Sequence, residues 1–209
     1  NLLVAVGLEL EVVWLPLLIK GARNPAIVPG SQGYLDASLG IRVLEVPSGR
    51  IDRSQGDIHP KGNPHYWLDP CNAQLIAERI AERLSFLSPR DGDLFQVNLA
   101  TFRNRLETRI ADWEKQMSPF RGSEVVAYHK QWEYLANWLD LKIIGYVEDK
   151  PGVPPSPRHI ASLIDRMKAR NVQVLLCSNF TPSKIPQQVA QKTGAKLLFL
   201  PPSVKGASG

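Results

Sequence analysis

The chain has 209 residues, 44% of them hydrophobic, and carries 25 Lys and Arg against 20 Asp and Glu for a net charge of +5. That length holds one large domain or two small ones, each with a real core. The basic residues are scattered rather than clustered with aromatics, which speaks against nucleic acid. No CxxC is present, which excludes a cysteine zinc site, and no apolar run approaches the roughly 18 residues of a membrane span.

In chain order, "NLLVAVG" reads as a buried strand closed by glycine. "ELEVVWLPLLIKGA" reads as a helix that Pro16 breaks or kinks. Glu9 and Glu11 interrupt the apolar opening, and with no basic leader it is not read as a signal peptide. Residues 24–64 are rich in Gly, Pro, Ser and Asp; one strand is predicted there, Ile41 to Val46, in an otherwise long loop of the kind that usually serves function.

Asp69 and Pro70 form an N-cap and first helical residue, and Leu75, Ile76, Ile80 and Leu84 recur at helical spacing until Pro89. A second, long helix is predicted from about Asp91 to Met117, with Val97, Phe102, Leu106, Ile110 and Trp113 as its apolar stripe. After Pro119, strand and helix alternate: "EVVAYH", "KQWEYLANWLDL", "KIIGYVED", "RHIASLIDRMKARN", "VQVLLCSNF", "TPSKIPQQVAQKTGA" and "KLLFLP". Short links between alternating elements predict a parallel α/β layer. Cys71 and Cys177 are read as two buried thiols rather than a disulfide.

Ligands of open parallel sheets bind beyond the carboxyl ends of the strands. His129 directly follows the strand "EVVAY", and His65 lies in the approach to a helix start. Neutral imidazole is the commonest metal ligand, so one ring from each α/β half can serve a shared ion. Against this, a single histidine more often caps a helix or bonds to a loop. His59 and His159 fit that plainer description.

The stretches "GNPHYWLDPCNA" and "AYHKQWEYLANWLDL" resemble the metal-binding solute-binding proteins of ABC importers, whose motifs run HxWLDP and FHxxWxYF. Here these are His65-Tyr66-Trp67-Leu68-Asp69-Pro70 and Tyr128-His129-Lys130-Gln131-Trp132-Glu133-Tyr134-Leu135. The resemblance implies an α/β fold of two parallel-sheet lobes: a partial N-terminal lobe at 1–88, a linking helix at 89–118 and a C-terminal lobe at 119–209 without its last helix. It implies His65 and His129 as two of four metal ligands, the other two lying outside this chain, which is then truncated at both ends. A histidine rather than a glutamate at 129 favours Zn2+ over Mn2+, since imidazole suits zinc and manganese prefers hard oxygen. His59, Asp57, Glu148 and Asp149 are nearby loop donors that could substitute.

The implied function is capture of zinc, or a similar divalent transition metal, on the periplasmic or extracellular face of the cytoplasmic membrane. Delivery to an ABC permease would follow, by a monomer that is not an enzyme. Asp69 is read chiefly as a helix cap, and Trp67, Trp132 and Tyr134 as core around the site. Two alternatives stay open: a truncated or degenerate member without metal, and a zinc-dependent hydrolase. The hydrolase lacks an HExxH motif, although Cys177 at a strand end is a conceivable nucleophile.

Overall fold

The computed structural model describes residues 1–49, 56 and 59–204; Asp57, one of the loop donors named above, lies outside them. The chain divides into two compact units, Asn1–Gly49 with His59–Gln116 and Arg50–Ile58 with Met117–Gly209. Each has its own parallel sheet flanked by helices. Among the described residues no helix is long and apolar enough to cross a membrane.

In the first unit, β1 (Leu3–Ala5) pairs in parallel with β2 (Tyr34–Asp36), Val4 opposite Leu35. Helix α1 (Leu15–Ala22) lays Leu15 and Ile19, one turn apart, on Ala5, with Leu3 and Tyr34 alongside. Pro16 does not break this helix. It occupies the first turn, where the missing N–H has no partner to lose, and residues 8–14 before it run in turns. Arg23 ends the helix in left-handed backbone, at φ 48°.

The predicted strand at Ile41–Val46 is absent, and β2 lies earlier, in the stretch read as loop. Glu45 has φ 55°, which interrupts any extended run, and the Leu44 carbonyl accepts the Asn63 N–H at 2.9 Å instead of joining a ladder. Helix α2 (Pro70–Leu87) begins as expected, with Asp69 Oδ1 accepting the Cys71 N–H at 2.9 Å. Cys71, on the outward face of that first turn, is exposed, which corrects the reading of two buried thiols. Helix α3 (Gly92–Met117) follows; Val97, Phe102 and Trp113 of its apolar stripe are exposed and only Leu106 and Ile110 are half-buried.

The second unit carries a four-stranded sheet in the order β4-β3-β5-β6, all parallel: β3 (Glu124–Ala127), β4 (Lys142–Tyr146), β5 (Val174–Ser178) and β6 (Lys196–Leu200). Helices α4 (Glu133–Leu139), α5 (Pro157–Ala169) and α6 (Lys184–Thr193) connect them. A strand covered on both faces reads as a continuous apolar run, and β3 and β5 do. Val126, Leu175, Cys177 and Val189 are fully buried in one cluster with Leu163 and Met167 of α5. Each such aliphatic side chain contributes about 1.5–3 kcal/mol through burial. Gly145 lets α5 approach β4, since a Cβ there would lie 2.8 Å from Leu163 Cδ1.

Candidate functional site

His65 stands at the carboxyl end of the first unit's sheet, held by a compact turn. The next residue, Tyr66, is 1% exposed, and its hydroxyl donates to the Val6 carbonyl, just past β1, at 2.6 Å. Its own carbonyl accepts from Asn72 Nδ2 of α2 at 2.8 Å. Residues Tyr66–Leu68 form a single 3-10 turn that runs into the Asp69 cap. Buried Pro64 fixes the backbone before the ring, and Trp67 lies tilted beside it, centroids 5.4 Å apart.

The imidazole is aimed by Asn63. Asn63 Oδ1 accepts the His65 backbone N–H at 3.0 Å and lies 2.9 Å from His65 Nδ1. An amide oxygen only accepts, so in the neutral ring this contact is made by Nδ1–H and leaves the lone pair on Nε2.

His129 reaches the same state by another route. It follows β3, whose last residues Val126 and Ala127 are fully buried. Beyond the end of β4, Val147 N donates to Ala127 O at 2.9 Å and Glu148 N to Tyr128 O at 3.0 Å. That two-rung extension of the ladder sets Glu148 beside His129, and Glu148 Oε2 lies 2.6 Å from His129 Nδ1. Gly152 N donates to the same oxygen at 3.0 Å. The carboxylate accepts, so in the neutral ring Nδ1–H makes this contact and the lone pair falls on Nε2. The pair is partly shielded, with side chains 28% and 14% exposed. A carboxylate behind an imidazole raises its basicity as a donor and fixes its orientation.

Of the other residues singled out, His159 is committed to structure. Its N–H caps onto Ser156 Oγ, its Nε2 lies 2.9 Å from the Tyr146 carbonyl, and Asp149 Oδ1 lies 3.4 Å from Nδ1. The His59 carbonyl accepts from Gly62 N at 3.0 Å. Glu148, read from sequence as a substitute ligand, instead backs His129. Trp132 and Tyr134, each 2% exposed, are core as expected. Among the described residues, no group of three or more His, Cys, Asp or Glu gathers at metal-holding distance.

Burial pushes the Cys177 thiol up to about 12 and leaves it 0% exposed, so it stays protonated and sheltered, the opposite of a reactive nucleophile. Sequence reasoning missed Asn63 as the orienter of His65. The available signal was local: an Asn two residues ahead of a residue it can bond, the spacing of an Asx turn.

A family model described as "ZnuA: Zinc-uptake complex component A periplasmic" matches residues 1–208. The zinc-binding protein AdcA of Streptococcus pyogenes is 26% identical over 140 residues, which is 67% of this chain but 27% of that protein, so the match covers about a quarter of the curated relative's length. A crystal structure of ZnuA superposes with TM-score 0.76 at 26% identity, over 95% of this chain and 70% of that one. A zinc-bound ZnuA deletion mutant superposes with TM-score 0.75 at 28% identity, again over 95% and 70%.

Proposed function

The chain belongs to the family of the periplasmic zinc-uptake complex component A, and on that premise we propose that it captures zinc as cargo outside the cytoplasmic membrane and passes it to an ABC permease. His65 and His129 donate Nε2 to one zinc ion in this reading. The remaining positions of a tetrahedral ion go to donors other than this pair.

The observation that carries the reading is the matched placement of the two rings: an acceptor oxygen, Asn63 Oδ1 or Glu148 Oε2, lies against Nδ1 of each, at 2.9 and 2.6 Å. Metal-ligating imidazoles are characteristically fixed in this way, by an acceptor on the nitrogen that does not ligate. Neutral imidazole suits zinc better than manganese, which supports zinc as the preferred cargo. Two groups that a hydrolytic reading would call on are engaged elsewhere, the Glu148 carboxylate with His129 and Gly152 and Cys177 in the core, which supports capture over turnover. Because protons compete with the metal for the lone pairs, capture weakens in acid.

Zinc titration followed by thermal melting tests this. Zinc at 100 times its dissociation constant stabilises the protein by about 2.7 kcal/mol. His65→Ala and His129→Ala each abolish most of that gain while leaving the metal-free melt nearly unchanged. Variants that keep the full zinc-dependent shift of the parent overturn the assignment.

A further inference from the structure

We propose that Glu45 and Asn63 are positioning residues that together set the tautomer of His65, so that its Nε2 lone pair is in place before any metal arrives. The proposal rests on the reading of His65 as a zinc donor for its purpose, but its mechanism concerns the metal-free protein.

An asparagine side chain has two nearly isosteric faces, and which one points where is decided by its partners. Asn63 is 7% exposed, and its Nδ2 donates to Glu45 Oε2 at 3.1 Å. A carboxylate accepts only, so the NH2 group must face Glu45. Oδ1 is then turned toward His65, where it accepts the backbone N–H at 3.0 Å and meets Nδ1 at 2.9 Å. Flipping the amide would set its oxygen against the carboxylate and its NH2 against a backbone N–H, two repulsions in place of two bonds. Glu45 thus chooses the amide face, and the amide chooses the tautomer.

The backbone is shaped for this relay. Glu45 holds φ 55°, a conformation that non-glycine residues avoid and that persists where the surroundings over-determine it. One such constraint is the bond from Asn63 N to Leu44 O, at 2.9 Å. Another is Gly62, at φ 102°, where a Cβ would fall 2.4 Å from Val43 Cγ1 and 2.9 Å from Leu44 O; only glycine lets the two segments approach this closely. Residues 43–45 and 62–65 form one clasp, and the strained residue is the one that carries the carboxylate.

Nitrogen NMR of the imidazole rings in the metal-free 209-residue chain, with the rings neutral, reads the tautomer directly. His65 in the parent shows the Nδ1–H form. Asn63→Ala converts it to a mixture, and His129 stays unchanged as an internal control. Glu45→Ala, at an exposed position that does not open the core, moves the His65 signal part of the way, and Glu45→Gln, which keeps an acceptor, moves it less. Zinc affinity falls by about 10–100-fold in Asn63→Ala. A parent His65 in the Nε2–H form, or a tautomer indifferent to Asn63→Ala and Glu45→Ala alike, overturns the relay. If the tautomer responds as expected while His65→Ala keeps the full zinc shift of the parent, the relay stands and the reading of His65 as a zinc donor fails; if zinc binds through His65 with the tautomer unmoved, the reverse holds.

Discussion

His129 and His65 present the same nitrogen from unlike scaffolds. His129 sits two residues beyond the fully buried Ala127, and its carboxylate partner arrives just past the neighbouring strand, two ladder bonds beyond the end of the sheet. His65 sits in a loop, and its partner is an amide that a second side chain must turn. Where a parallel ladder runs to the edge of a site, register alone places the orienting group. Where the chain is irregular, side chains and a left-handed residue have to substitute for register. Core damage should therefore be felt mainly in the second unit, and local polar changes mainly around His65.

The largest effect tests the sheet. Leu175 is fully buried in β5, opposite Val126 on one side and Leu197 on the other. Leu175→Ala costs about 2–5 kcal/mol in urea unfolding. Leu17, 70% exposed on α1 of the first unit, costs within about 0.5 kcal/mol on the same change. Equal costs would mean that Leu175 does not sit in the packed core of the sheet that leads to His129.

Next comes Glu148→Gln. The Gly152 N–H keeps the amide oxygen of the glutamine toward His129 Nδ1, but the negative charge that raises the basicity of the ring is gone. Zinc affinity then drops by about 10–100-fold, measured by calorimetry, with the melt of the metal-free protein nearly unchanged. Because Glu148 acts on its histidine directly while Glu45 acts through Asn63, Glu148→Gln weakens binding more than Glu45→Gln does. The opposite ranking would mean that the loop clasp, not the ladder, limits the site.

Much of this was legible in the residues. The second unit's four strands are Val-, Ile- and Leu-rich runs separated by amphipathic helices, and each side chain's neighbours are dictated by the ladder it joins. The local placement of both histidines, His129 just past β3 and His65 just ahead of α2, agrees with the structure. The misses share a cause, which is that their determinants are distant in sequence. Tyr34–Asp36 is three residues long and is a strand only because Leu3–Ala5 accepts it as a partner. Ile41–Val46 has the better composition and lacks the pairing. Asn63 stands beside His65 in plain view, but the face its amide shows is decided by Glu45, eighteen positions earlier. The stripe on α3 has helical periodicity, yet Val97, Phe102 and Trp113 are exposed, because periodicity describes a face without naming what covers it.

The smallest effect separates capping from positioning within four residues of His65. Asp69 takes extended backbone at the N-cap of α2 and accepts the Cys71 N–H at 2.9 Å, with Pro70 behind it. Asp69→Ala removes that cap at a cost of about 1 kcal/mol. A second reporter lies next to it: the Cys71 thiol is pushed up to about 11, first by desolvation and then by the charge and hydrogen bond of Asp69. Removing the carboxylate lowers that value, so more thiolate is present at mildly alkaline pH and Cys71 alkylates faster in Asp69→Ala than in the parent. The tautomer of His65 does not change, since its proton is held by Asn63. A helix that loosens, a thiol that quickens and an imidazole that stays as it was would together mean that the Asp-Pro step starts the helix and that the aim of the ring is set upstream of it. If the ring moved as well, the cap and the clasp would be one device, and the contrast between the two histidines would narrow to a difference in degree.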